Sequence, residues 1–248
     1  MTVYYSRPRE LADDSRVIIV MHGMNRNAST YRDRWANFAE RHRFLVLAPE
    51  FHRDFYPANV DYYLAGMVED EEQASFQEEE EWAYHQVERV FATVREELGL
   101  RTSRYGLYGH SAGAQFAHRL VLFHPESNAD VTVSANAGWY TLPCLSTGFP
   151  YGLRGSPVCR DRLSRALQRP LVVLLGDADR DPCHPNLRVT PEALEQGVHR
   201  LDRGRNFFDR AQTAAQELGV PCRWTLKLVP GAAHLDRDMS GAALDYIL

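Results

Sequence analysis

Apolar positions along the chain follow two periods. Arg16-Val17-Ile18-Ile19-Val20-Met21 is a compact apolar run that predicts a strand buried on both faces, as in a parallel sheet. Phe44–Ala48, Tyr105–Gly109, Val131–Ala137 and Pro170–Gly176 read as further strands, and the alternating Arg223–Val229 as a last strand near a sheet edge. Between them the spacing turns helical. Tyr31, Trp35, Phe38 and Ala39 share one face of a helix from Thr30 to about His42, with Ser29 as its expected cap. Val87, Val90, Phe91, Val94 and Leu98 predict a helix from about Glu79 to Leu98, stopped by Gly99. Helices are also expected from Ala112 to near His124, over Asp161–Leu167, over Gly204–Leu218, and from Met239 to the end. Strands alternating with helices predict an α/β fold: a mostly parallel central sheet flanked by helices on both faces, in one domain over 1–248. Two stretches lack a clear period, about 51–80 and 139–168. Both are candidate lid segments, and the second, rich in Gly, Pro and Cys, is expected to form a small irregular lid-like insertion.

Composition narrows the function classes. A chain of 248 residues with 44% hydrophobic and 25% charged residues has the makeup of an ordinary globular protein with a substantial core. A net charge of −5 gives no sign of a nucleic-acid surface, so no nucleic-acid partner is expected. No run approaches the ~18 apolar residues of a membrane span. Met1–Pro8 has no apolar signal core, which gives a cytoplasmic expectation, with secretion left open should a leader have been removed. Cys144, Cys159, Cys183 and Cys222 form no Cys-x-x-Cys pair. Reduced thiols are the expectation, with a Cys144–Cys159 bridge as the alternative for an exported protein. The acidic stretches Glu69-Asp70-Glu71-Glu72 and Glu78-Glu79-Glu80-Glu81 read as a solvated loop entering a helix rather than as a cation site.

Candidate chemistry gathers at strand ends, where ligands of open α/β sheets bind. Four polar turns follow predicted strands: the one after Met21, Gly109-His110-Ser111-Ala112-Gly113, the aspartates after Gly176, and the turn reaching His234. Gly-x-Ser-x-Gly between a strand and a helix is a nucleophile elbow. Its glycines answer to a strained turn in which a Cβ would strike neighbouring backbone, and the serine hydroxyl is lifted to a helix N-terminus. A serine needs a base, and the base needs an orienting acid. Asp177, Asp179 and Asp181 all stand beyond Gly176. Their spacing also suggests a calcium loop, but Pro182 and Arg188 occupy the positions that demand Gly and Glu. No Gly-rich phosphate loop or HExxH zinc motif occurs, and neither cofactor nor metal is expected.

These residues resemble the α/β-hydrolase superfamily over nearly the whole chain. The resemblance rests on His22-Gly23, Gly109–Gly113, Gly176-Asp177-Ala178-Asp179 and Pro230-Gly231-Ala232-Ala233-His234, in the order Ser, Asp, His that this fold uses. It is nearest to small bacterial serine esterases and polyester depolymerase-like hydrolases, where a His-Gly turn precedes an Arg-Asn-rich helix start. It implies Ser111 as nucleophile, His234 as base and Asp179 as acid. It also implies an oxyanion hole from the N–H of Ala112 and that of Met24, with Gly23 as alternate. Met24 and Asn25 stand where the family's usual turn carries further glycines. His22 and His110 are expected as structural neighbours within their motifs. Asn25 or Arg26 is a candidate for polar contacts to substrate. Trp139 and Tyr140 are candidates for the pocket wall, with core packing as the equal alternative; Phe51, Phe55 and Tyr56 are weaker ones. The implied activity is hydrolysis of a small or polymeric carboxylic ester through an acyl-serine. The alternatives are an amidase or peptidase with the same triad and a binding module with a dead site.

Overall fold

The computed structural model describes residues 1–71 and 75–248. Glu72, part of the first acidic stretch, lies outside the described residues. Seven strands form one sheet in the order β1-β3-β2-β4-β5-β6-β7. They are β1 Thr2–Ser6, β2 Val17–Met21, β3 Leu45–Glu50, β4 Tyr105–His110, β5 Ala129–Ala135, β6 Leu171–Gly176 and β7 Trp224–Val229. All neighbours pair in parallel except β1, which runs antiparallel to β3 with Tyr4 opposite Ala48. Every residue of β2, β4 and β6 is buried, which is why those runs are apolar without alternation. β7 takes the edge, and only its first residue, Trp224, is fully buried.

The helices are α1 Ala28–His42, α2 Val60–Tyr63, α3 Tyr84–Glu97, α4 Ala112–Phe123, α5 Arg160–Leu167, α6 Pro191–Gln196, α7 Arg200–Leu218 and α8 Asp236–Ile247. The sheet separates two cores. On one face Ile18, Val20, Tyr108 and Val133 pack with Trp35 of α1 and with Met239, Ala243 and Ile247 of α8. On the other, Ile19, Met21, Leu107 and Val173 meet Val87 and Phe91 of α3, Phe116 and Leu120 of α4, and Phe207 of α7. Among the described residues, no helix is long and apolar enough to cross a membrane.

Several boundaries differ from the sequence expectation for identifiable reasons. Strand β1 is unforeseen because half of it faces water, with Tyr5 59% exposed. Helix α1 begins before Ser29, which lies inside it; Asn27 is the boundary residue and makes no side-chain cap. The helix expected from Glu79 breaks after a short 3-10 turn over Glu79–Glu81. Trp82 then takes an extended backbone that buries its indole, whose Nε1–H donates to the Gln77 carbonyl, and the Ala83 N–H donates to Ala65. Helix α7 starts at Arg200, four residues before the expected Gly204, with the His199 side chain capping the Asp202 N–H at 3.2 Å. Its first turn is charged yet buried: Arg203 donates to the carbonyls of Gly197, Gly138 and Arg188. α2 and α6 are too short for a period to reveal.

The segment between β5 and α5 carries no helix or α/β-sheet strand and is built into the core through Tyr140, Thr141 and Leu153. The Thr141 N–H donates to His118 Nε2, and Arg119 Nε donates to Thr141 Oγ1. Among the described residues of the two acidic stretches, two close ion pairs, Glu71 with Arg188 and Glu79 with Arg162.

Candidate active site

Ser111 is the hinge between β4 and α4, at φ 56° and ψ −114°, a backbone conformation that L-residues avoid. Close approach explains the glycines around it. A Cβ on Gly109 would lie 2.1 Å from the Gly113 carbonyl oxygen, and one on Gly113 would lie 2.3 Å from that of Met21. The strain therefore brings α4 directly against the end of β2, and with it the turn that follows Met21.

Two further loops converge on Ser111. Asp179 follows β6, and its N–H bonds the Gly176 carbonyl at 3.2 Å. His234 follows β7, and Gly176 permits that loop to close in: a Cβ there would lie 2.3 Å from the Ala232 carbonyl oxygen. Asn136, at φ 50° just past β5, ties the two loops together. Its Oδ1 accepts from the Gly176 N–H at 2.8 Å and its Nδ2 donates to the Ala233 carbonyl at 3.0 Å.

The result is a continuous hydrogen-bonded row. Ser111 Oγ lies 3.0 Å from His234 Nε2, and His234 Nδ1 lies 2.8 Å from Asp179 Oδ2. With a carboxylate at Nδ1, that nitrogen carries the proton and Nε2 accepts from the serine. Of the three aspartates, Asp179 alone faces the imidazole among the described residues. Asp177 accepts from the Gly231 N–H and Asp181 from the Cys183 N–H. Asp179 is 3% exposed, and its second oxygen, Oδ1, lies 3.4 Å from Nη1 of the buried Arg200.

The turn after β2 supplies the other side of the site. Among the described residues, the backbone N–H groups of Met24 and Ala112 make no hydrogen bond within the protein. The Tyr31 hydroxyl lies 3.1 Å from His110 Nδ1 and packs against Gly23, where a Cβ would come within 2.8 Å of it. Tyr31 thus links the His-Gly turn to the elbow. His22 is fully buried; its Nδ1–H donates to the Gly23 carbonyl at 2.9 Å and its Nε2 accepts from the Phe51 N–H at 3.2 Å. Burial, then the nearby Arg26 charge, push its pKa down to about 4. Burial and the adjacent His234 hold the His110 imidazole well below its ordinary value, so it stays neutral beside the His234 ring, whose centre is 4.9 Å away.

A cavity of about 480 Å³ opens over Ser111 and is lined by Gly23, Met24, Asn25, Tyr31, Ala112 and His234, among others. Asn27, Arg34, Asn59, Gln115, His184, Asn186 and Arg200 also line it, and none of these stood out in the sequence as site residues. Isolated polar residues in loops and helix starts carry no periodic signal. A larger cavity of about 900 Å³ draws on the same loops, with Ala58, Val60 and Arg188 in its wall. Three expectations are corrected. Trp139 and Tyr140 do not line the cavity at Ser111; they are core residues, 3% and 0% exposed. Trp139 lies against the guanidiniums of Arg119 and Arg188, at 4.1 Å and 4.5 Å, and Tyr140 stacks on Phe207. Arg26 likewise turns inward, donating to the carbonyls of Phe51 and Ala58, so Asn25 is the one of that pair at the cavity. Phe51 is buried, Phe55 points to solvent, and Tyr56 packs on Phe51; none of the three reaches the cavity.

A mostly parallel sheet with a serine elbow after one strand, and an acid and a histidine after the last two, is the arrangement of the α/β-hydrolase class. Neither a protein-family model nor a curated protein sequence matches the chain. Solved structures do. A poly(aspartic acid) hydrolase from Sphingomonas sp. KT-1 is 39% identical with a TM-score of 0.96, covering 99% of this chain and 92% of its own. A poly(3-hydroxybutyrate) depolymerase from Bordetella parapertussis is 36% identical with a TM-score of 0.92, over 98% and 83%. A fluorophosphonate-binding serine hydrolase of Staphylococcus aureus shares the fold at 16% identity and a TM-score of 0.59, over 98% and 88%. The chain belongs to the α/β-hydrolase superfamily.

Proposed function

We propose that this protein hydrolyses a carboxylic ester through an acyl-serine intermediate. The carrying observation is the unbroken row from Ser111 Oγ through His234 to Asp179, at 3.0 Å and 2.8 Å. In this reading Ser111 Oγ attacks the carbonyl carbon as its proton passes to His234 Nε2. Asp179 stabilises the imidazolium and keeps its Nδ1–H aimed. The carbonyl oxygen becomes an oxyanion between the N–H groups of Ala112 and Met24, each donor worth about 3 kcal/mol in such sites. Collapse of the tetrahedral species breaks the bond to the leaving group, which takes its proton from His234. Water, deprotonated by the same nitrogen, then releases the acid and restores Ser111. Each proton has a donor and an acceptor among these side chains, so the steps call for no metal or organic cofactor.

The cavity bears on the substrate. Apart from Met24, Leu235 and Tyr31, its larger side chains are polar or charged, which disfavours a long aliphatic acyl chain and suits a polar ester. The cavity of about 900 Å³, whose wall includes Ala58 and Val60 on either side of Asn59, offers room for more than one unit of a polymer. A second reading, cleavage of an amide by the same residues, is favoured by the 39% identity to a poly(aspartic acid) hydrolase. Two measurements test these readings. A fluorophosphonate probe is expected to label Ser111 and to leave the Ser111→Ala variant unlabelled; an unlabelled wild-type serine refutes the acyl-serine mechanism. A matched ester and amide pair is expected to favour the ester, and faster amide turnover selects the second reading.

A further inference from the structure

The geometry points to His184 as a specificity-determining residue of this site: it presents a neutral Nε2–H to a carbonyl or carboxylate oxygen on the leaving group of the substrate. This rests on the acyl-serine reading above and extends it to substrate class.

The tautomer follows from what surrounds the other nitrogen. His184 Nδ1 lies 3.1 Å from Arg200 Nη2 and 3.1 Å from the Asn186 backbone N–H. A guanidinium and a peptide N–H can only donate, so Nδ1 must accept and the ring proton must sit on Nε2. Arg200 is 1% exposed and also engages Asp179, so it is held from both sides and fixes the imidazole against the same element that orients the acid. Burial first, then the charge of Arg200, depress the His184 pKa, which keeps the ring neutral. Among the described residues Nε2 has no partner in the protein, and His184 lines the cavity that holds Ser111.

Position assigns the part of the substrate it meets. The His184 ring stands edge-on to that of His234, 5.6 Å between centres. His234 delivers its proton to the departing group, so an acceptor within reach of His184 belongs to that group. Simple alcohols offer no such acceptor. A hydroxyacid, or an amino acid in the amide reading, offers one a few bonds from the scissile bond, as every internal unit of a polyester or polyamide of such acids does. The substrate class is therefore an acyl derivative of a hydroxy- or amino acid.

The test compares two acetyl esters with leaving groups of matched shape, 3-acetoxybutanoate and sec-butyl acetate. The corresponding acetamides are run alongside. The wild type is expected to favour the carboxylate-bearing member by about tenfold in kcat/KM, the size of one hydrogen bond to a charged acceptor. His184→Ala is expected to bring that ratio near one. His184→Gln, whose side-chain oxygen can take the Arg200 bond while its amide donates, is expected to recover part of it. A wild type without preference, or a ratio that His184→Ala leaves unchanged, overturns the assignment. Fluorophosphonate labelling of Ser111 in the same preparations separates the two ideas: labelling with an unchanged ratio sinks the role of His184, and an unlabelled serine sinks the acyl-serine reading itself.

Discussion

Acidification should destabilise this protein through His22, and the size of the effect can be worked out. The imidazole is fully buried in the turn that carries Met24, with both nitrogens already committed, one donating to Gly23 and one accepting from Phe51. Protonation would place a hydrogen on Nε2 facing the Phe51 N–H, beside the Arg26 guanidinium. The folded pKa is accordingly about 4 against 6.5 in the unfolded chain. Between those values the unfolded state binds more protons, so stability is fully present above pH 6.5 and is lost as pH falls. The loss is about 2 kcal/mol at pH 5 and about 3 kcal/mol at pH 4. His110 and His118 are depressed by burial and act with the same sign. Asp236, raised by burial, acts with the opposite sign, because its folded carboxyl takes up a proton before the unfolded one does. The single contribution is isolated by difference. Urea denaturation of the wild type and of His22→Gln at pH 7, 6, 5 and 4 cancels the other groups. The variant is expected to be less stable at pH 7, and the gap to shrink by about 2 kcal/mol at pH 5. A gap that stays constant or widens on acidification would show that His22 is not held neutral by its surroundings.

Three other outcomes follow from the site. Asp179→Asn is expected to lower kcat by about 10⁴-fold with little change in KM, as the base loses its orienting charge. It should also cost about 3 kcal/mol in urea denaturation, because it leaves the Arg200 guanidinium buried beside a neutral amide. Tyr31→Phe strips the hydroxyl that bonds His110, so a stability loss of about 1–3 kcal/mol is expected together with a fall in kcat larger than any rise in KM. Gly113→Ala drives a methyl into the Met21 carbonyl, and a loss of about 3 kcal/mol or more should show as a lowered urea midpoint or insoluble protein. A variant that folds as well as the wild type would mean that α4 can move off β2.

Much of this architecture was legible along the chain. The runs that became β2 and β6 are apolar at every position because both faces of a parallel strand are covered, and Phe91 and Leu120 sit at helical spacing because one side of each helix meets the sheet. The elbow was legible for a local reason, since Gly109 and Gly113 serve contacts only four residues apart. Strand β1 was hidden because none of its residues is fully buried, and the start of α7 by arginines that are buried through ion pairs and carbonyl contacts, a burial that hydrophobic periodicity cannot register.

What the sequence by itself determined was therefore the set of elements whose burial is written in apolar side chains, and the turn whose backbone demands glycine. Tertiary structure decided everything that depends on residues far apart in the chain. It laid Asp179, and not Asp177 or Asp181, against His234, and it put Trp139 and Tyr140 in the core rather than at the cavity. It brought Arg200 to Asp179 and His184, and closed the loops of β6 and β7 through Asn136. The reason is physical: a polar side chain takes its role from the partner that satisfies it, and that partner is fixed only when the strands are laid side by side.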